Sequence, residues 1–104
     1  MALSFMPEAN IQGTVCYLIH GSHSSDLTQA QDFQTAINTQ IPGKVYLVDD
    51  NAREAHELIS FFALTDLRFP IFLIVREDDS LAYEWTSTLP MVDDVLYRLH
   101  QIGD

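Results

Sequence analysis

The stretch His20-Gly21-Ser22-His23-Ser24-Ser25-Asp26 holds the densest group of side chains able to act on protons, metals or carbonyl carbons in this 104-residue sequence. His20 and His23 stand three apart across a glycine, and with Asp26 they offer three donors of the kind that hold zinc with one open position. The loop is short and fixes no acid as a partner. The two histidines therefore read first as polar members of a binding loop and only second as metal ligands. Serines beside a His-Gly pair also invite a hydrolase reading, because such a pair after a strand helps build oxyanion pockets in larger folds. The nucleophile elbow G-x-S-x-G is missing and the chain is far shorter than such enzymes, so no catalytic serine is assigned.

Sulfur chemistry is bounded more tightly. Cys16 is the single cysteine, which excludes a disulfide within the chain and a metal site made of cysteines alone. It stands inside the apolar run Thr14 to His20, where a thiol behaves as a small hydrophobe. Tyr83 and Trp85 alternate with Ala82 and Glu84, so one face of that stretch is aromatic. Core packing beneath the last helix is expected of them, and exposed they would anchor an interface. His56 and His100 fall on predicted helix surfaces with no visible partner.

Charge narrows the partners. The sequence carries 15 Asp plus Glu against 5 Lys plus Arg, a net charge of -10. Such a surface repels nucleic-acid phosphates and anionic lipid and favours basic protein surfaces. The acids lie in short groups (Asp49, Asp50; Glu77, Asp78, Asp79; Asp93, Asp94) and make no tail, the pattern of a solvated face. No window approaches the ~20 apolar residues of a bilayer span, and the first 13 residues lack a basic and then apolar leader, so a cytoplasmic protein is expected.

Positioning these residues takes seven elements. Thr14 to His20 is a strand covered on both faces, and a helix capped by Ser24, Ser25 or Asp26 follows with Leu27, Ala30, Phe33 and Ile37 as its apolar stripe. Ile41-Pro42-Gly43 ends it. Lys44 to Val48 is a second strand; Asp49-Asp50-Asn51 then supplies an N-cap, with Glu54 close to a capping box, for a helix striped by Ala55, Leu58, Ile59 and Phe62. Both crossovers are long enough for a helix, so parallel pairing is expected. Ile71 to Val75 is the most apolar strand, and a turn at 77–80 folds Leu81 to Trp85 back beside it as a hairpin. Pro90 suits a helix start, and Val92, Val95, Leu96, Leu99 and Ile102 mark a terminal helix ending at Gly103. The whole chain, 1–104, reads as one domain of order β-α-β-α-β-β-α, with 1–13 as an arm or short edge strand.

That order, with a proline just before the first hairpin strand, resembles the thioredoxin family over roughly residues 14 to 102. Val45 to Ala52 (V-Y-L-V-D-D-N-A) is similar to the family's second core strand and cap, and Phe69 to Val75 (F-P-I-F-L-I-V) to its cis-proline strand. The resemblance implies a three-layer α/β fold with a mixed sheet of about four strands. It also implies that the family's cysteine pair would fall in Gly21 to Asp26, where Ser22 and Ser25, or His23 and Asp26, have its spacing and no thiol stands. With Ser22 placed on the first of those cysteines, Cys16 falls where the family has a buried acid, and a glycine near the start of the last segment is replaced by Thr86-Ser87.

A hydroxyl cannot do the work of a thiolate or store electrons as a disulfide, so the chain is expected to be redox-inactive and no enzyme. What the resemblance implies instead is a surface for protein binding. The loop residues Gly21, Ser22, His23, Ser24 and Ser25 lie beside Phe69 and Pro70, gripping an extended, preferably basic segment as an adaptor, chaperone or assembly factor without a cofactor. The alternatives are a glutathione-binding transferase relative using Ser22 or Ser25, without the helical second domain of such enzymes, and an acidic mimic that docks on a basic protein.

Overall fold

A computed structural model describes residues 13–102. The elements are β1 (Val15–His20), α1 (Ser24–Gln40), β2 (Val45–Asp49), α2 (Arg53–Phe61), β3 (Ile71–Val75), β4 (Leu81–Thr86) and α3 (Val92–Ile102), in the expected order. They build one four-stranded sheet of order β2-β1-β3-β4. The expected arm or edge strand at 1–13 lies, but for Gly13, outside the described residues, as does the helix stop at Gly103.

Strand alternation divides the core into two layers. Tyr17 and Ile19 of β1 face α2 together with Val48, Ala55, Leu58, Ile71 and Leu73. Cys16 and Leu18 face the opposite way, against Ala30, Phe33 and Ile37 of α1 and Val95 and Leu99 of α3. β1 and β3 are buried at every residue, which is why they read as continuous apolar runs rather than alternating ones. Cys16 is fully buried. Tyr83 and Trp85 stack with centroids 5.9 Å apart, pack against the α1/α3 side of the core, and are roofed by the Arg98 guanidinium of α3, 4.6 Å from the Tyr83 ring centre.

Three local expectations are corrected. β1 and β2 are parallel, but β3 runs antiparallel to β1, so the second crossover is not a parallel one. α2 has 9 residues, about 14 Å of rise, and the uncoiled run 64–69 spans up to about 20 Å in the opposite sense, which returns the chain to the end of the sheet it left. The N-cap of α1 is His23 rather than a serine or Asp26, and its side chain makes no capping bond; Ser24 is already in the first turn. The N-cap of α2 is Ala52, because Asp49 captures the turn before it: its Oδ1 accepts the Asn51 N–H at 2.9 Å and its carbonyl accepts the Ala52 N–H at 3.0 Å. That Asx turn displaces the capping box around Asn51.

Candidate functional site

The C-terminal end of β1 delivers the chain into the His20–Asp26 loop at the same end of the sheet where β3 begins. Ile19 pairs with Ile71, and one more step of that antiparallel register sets His20 opposite Pro70. The Phe69–Pro70 peptide is cis. The loop that follows His20 and the proline turn thus lie at the same end of the sheet.

Within the loop the polar residues divide into buried and exposed. His20 is buried, with Nδ1 2.9 Å from the Gly21 carbonyl oxygen, whereas His23 is exposed at the helix cap. One histidine closes a strand and the other faces solvent, so they do not converge; among the described residues no three His, Cys, Asp or Glu gather as a metal ion requires. Ser22 donates its hydroxyl to Asp50 Oδ1 at 2.7 Å and accepts from Asn51 Nδ2 at 3.0 Å. It is therefore a strut between two loops, its proton committed. Ser24 and Ser25 are exposed. Gly21 has a steric role: a Cβ there would stand 2.6 Å from Asp26 Oδ2, so any larger residue must displace that carboxylate.

On the other side, the proline turn is held by bonds that the sequence does not signal as a set. Asp66 receives both Arg68 Nε (2.9 Å) and Nη2 (2.8 Å), and Thr86 Oγ1 donates to Asp66 Oδ2 at 2.8 Å. The Arg68 guanidinium and then the Thr86 hydroxyl hold the Asp66 carboxyl well below the usual carboxylate range. Ser87 N–H donates to the carbonyls of both Arg68 (2.9 Å) and Pro70 (3.1 Å). The D-x-R spacing could have signalled the local turn. The Thr86 link is tertiary and has no signal in the chain.

These bonds leave a gap of one residue. Arg68 and Pro70 are engaged, but neither the N–H nor the C=O of half-buried Phe69 bonds to another described residue. Ser87 has a positive φ of 74°, where the thioredoxin resemblance leads one to expect glycine; a serine there is strained.

Solved structures similar in shape bear on this arrangement. Thioredoxin-2, described as a component of malaria parasite protein secretion machinery, superposes with a TM-score of 0.61 at 10% identity, covering 88% of this chain and 86% of that one. Thioredoxin f2 from Chlamydomonas reinhardtii gives 0.59 at 11% identity over 92% and 84%. A thioredoxin f2 in complex with ferredoxin:thioredoxin reductase gives 0.60 at 15% identity over 93% and 84%. The fold is thioredoxin-like. No protein-family model and no curated protein matches the chain.

One expectation is overturned by these likenesses. The chain was expected to be no enzyme on the strength of its single cysteine, yet its structural neighbours are thioredoxins, which are oxidoreductases. One cysteine forbids only a disulfide closed within one chain, and identities of 10% to 15% carry the thioredoxin-like fold alone. The sequence does not establish that the domain lacks activity.

Proposed function

We propose that this thioredoxin-like domain is a protein-binding module, an adaptor, chaperone or assembly factor that holds an extended partner segment between the Phe69–Pro70 turn and the loop from Gly21 to Ser25. The observation that carries the reading is the unpaired N–H and C=O of Phe69, flanked by residues whose carbonyls are already taken. Groups of this kind, not committed within the domain, can be satisfied by an extended peptide lying alongside as a short strand. The exposed Ser24 and Ser25 and the cap residue His23 supply small polar groups on the facing wall. The net charge of -10 favours a basic segment and speeds its encounter.

The test begins with partners co-purified from the native host and identified by mass spectrometry. Hydrogen exchange of this domain with such a partner should slow at Gly21 to Ser25 and at Phe69, and the doubly substituted Ser24→Arg, Ser25→Arg protein should lose that protection while keeping its fold. Protection confined to other surfaces would overturn the reading.

A further inference from the structure

β2 is an edge of the sheet among the described strands, and its backbone is only partly sealed. The Cys16 N–H donates to the Lys44 carbonyl and the Asp50 N–H to the His20 carbonyl, so the Lys44 carbonyl, both backbone groups of Tyr46 and Val48, and the Asp50 N–H turn toward β1, while the Lys44 N–H donates to Asn38 Oδ1 at 3.1 Å. Val45, Leu47 and Asp49 turn theirs outward. Val45 is closed by α1: its N–H donates to Asn38 Oδ1 at 2.9 Å, and its carbonyl accepts from Gln34 Nε2 at 3.0 Å and Asn38 Nδ2 at 3.4 Å. The Asp49 carbonyl is used by Ala52. What remains outward is the N–H and C=O of Leu47 and the N–H of Asp49.

A cleft of about 240 Å³ opens at this stretch, lined by Tyr17, Tyr46, Leu47, Val48, Asp49, Ala52 and Glu54. That is less room than a drug-sized molecule takes and suits one long side chain. It is lined by the half-buried ring of Tyr46, which packs on the buried ring of Tyr17 with centroids 6.4 Å apart, by Val48 and Ala52, and by two exposed acidic residues, Asp49 and Glu54. No lysine or arginine is among the lining residues. Arg53, the nearest cation in sequence, is one helical residue from Glu54 and so about 100° round α2. An aromatic face flanked by acidic residues is the complement of a guanidinium on an apolar stem.

We infer that the β2 edge is a second binding site, at which an extended basic segment of another protein pairs with Leu47 and seats an arginine side chain in the Tyr46–Asp49–Glu54 cleft. The outward backbone groups supply two or three hydrogen bonds and the cleft supplies the choice of side chain, the division of labour in strand addition. β1 separates this edge from the Phe69 turn, and neither surface requires the other.

The test titrates isotope-labelled protein with the capped tripeptide acetyl-Val-Arg-Val-amide and follows the backbone amides by NMR. Saturable shifts at Leu47, Asp49, Ala52 and Glu54 are expected. The same tripeptide with neutral citrulline for arginine should bind about tenfold more weakly or less, as should the arginine peptide to the Asp49→Asn, Glu54→Gln protein. Both substitutions are isosteric and leave Asp49's acceptor for Asn51; the citrulline arm needs no variant at all. Absence of shifts at Leu47, or equal affinity for the citrulline peptide, would overturn the site. So would methylguanidinium binding as tightly as the peptide, which would remove the strand, or shifts that grow with protein concentration alone, which would put a second copy of the chain there.

Discussion

Ser22 and Asp50, 28 positions apart, are joined by a hydroxyl-to-carboxylate hydrogen bond of 2.7 Å, which ties the loop after β1 to the loop after β2. Replacing Ser22 by alanine removes this bond and the one from Asn51. Because the group is exposed, the expected cost is modest, about 1 kcal/mol or less. Urea unfolding should show a lower midpoint with an unchanged slope, and amide exchange in 21–25 should quicken.

Ser87 carries a φ of 74° while its N–H serves two carbonyls. Glycine tolerates that φ without strain, and Ser87→Gly should raise stability by roughly 0.5 to 1 kcal/mol even after its greater unfolded-state entropy is counted. Ser87→Val should lower it by more than 1 kcal/mol, since a β-branched residue fits the left-handed region worst. Thermal unfolding of the two proteins should bracket the parent.

Tyr17 fixes the alkaline behaviour. Burial, then the Asp79 carboxylate, then Tyr46 push its phenol up to about 12. A raised folded value means that the native chain holds the proton longer than the unfolded one. The contribution is complete below about pH 10, where an unfolded tyrosine begins to ionise, and is lost as pH rises toward 12, to the extent of roughly 2 to 3 kcal/mol. Tyr17→Phe should flatten this alkaline slope. An unchanged slope in that variant would assign the loss to another group.

Asp66 acts at the other extreme. Its carboxyl is held below the ordinary range by Arg68 and Thr86, so the stabilisation is present above the unfolded carboxylate range near pH 4 and is lost as pH falls through the folded value. Asp66→Asn should flatten the acid-side slope: the variant should be less stable than the parent at neutral pH, modestly so because solvent screens the pair with exposed Arg68, and the two should converge as pH falls.

Arg98 lies over both Tyr83 and Trp85, 4.6 Å and 5.3 Å from their ring centres, and pairs with Asp94 at 3.0 Å. Arg98→Ala should cost about 1 kcal/mol, chiefly through lost cover over the rings. As Trp85 is the single tryptophan, its emission should shift to the red in the variant; an unmoved spectrum would show that the guanidinium does not shield it.

The fold was legible because the strongest signals were apolar runs. Ile71–Val75 and Val15–His20 are buried throughout and could be little else than central strands. Helix stripes such as Ala30, Phe33, Ile37 and Val95, Leu99 fell where the periodicity put them. What could not be read were competitions between short-range options. Asp49, Asn51 and Ser24 were each plausible caps, and the structure chose an Asx turn at Asp49 and a bare His23 cap, because tertiary placement of the helices decides among near-equal local bonds. The direction of β3 was likewise a matter of how far the uncoiled 64–69 run reaches, a length no hydrophobic pattern records.

At the candidate site the proximity of Gly21–Ser25 to Pro70 follows from topology, whereas the gap at Phe69 is visible only after every neighbouring carbonyl has been assigned. The Asp66–Thr86 bond spans 20 positions, and the Leu47 edge is defined by what Asn38 and Gln34 cover. Each is a relation between distant residues of ordinary type.

The clamp of Asn38 on Val45 also sets a limit on polymerisation. A sheet whose rim is open along its whole length can recruit copy after copy into a fibril; here the rim is interrupted at its first residue by side chains of the domain itself. A visiting strand has to stop there, so the edge admits a brief guest and denies an endless ladder.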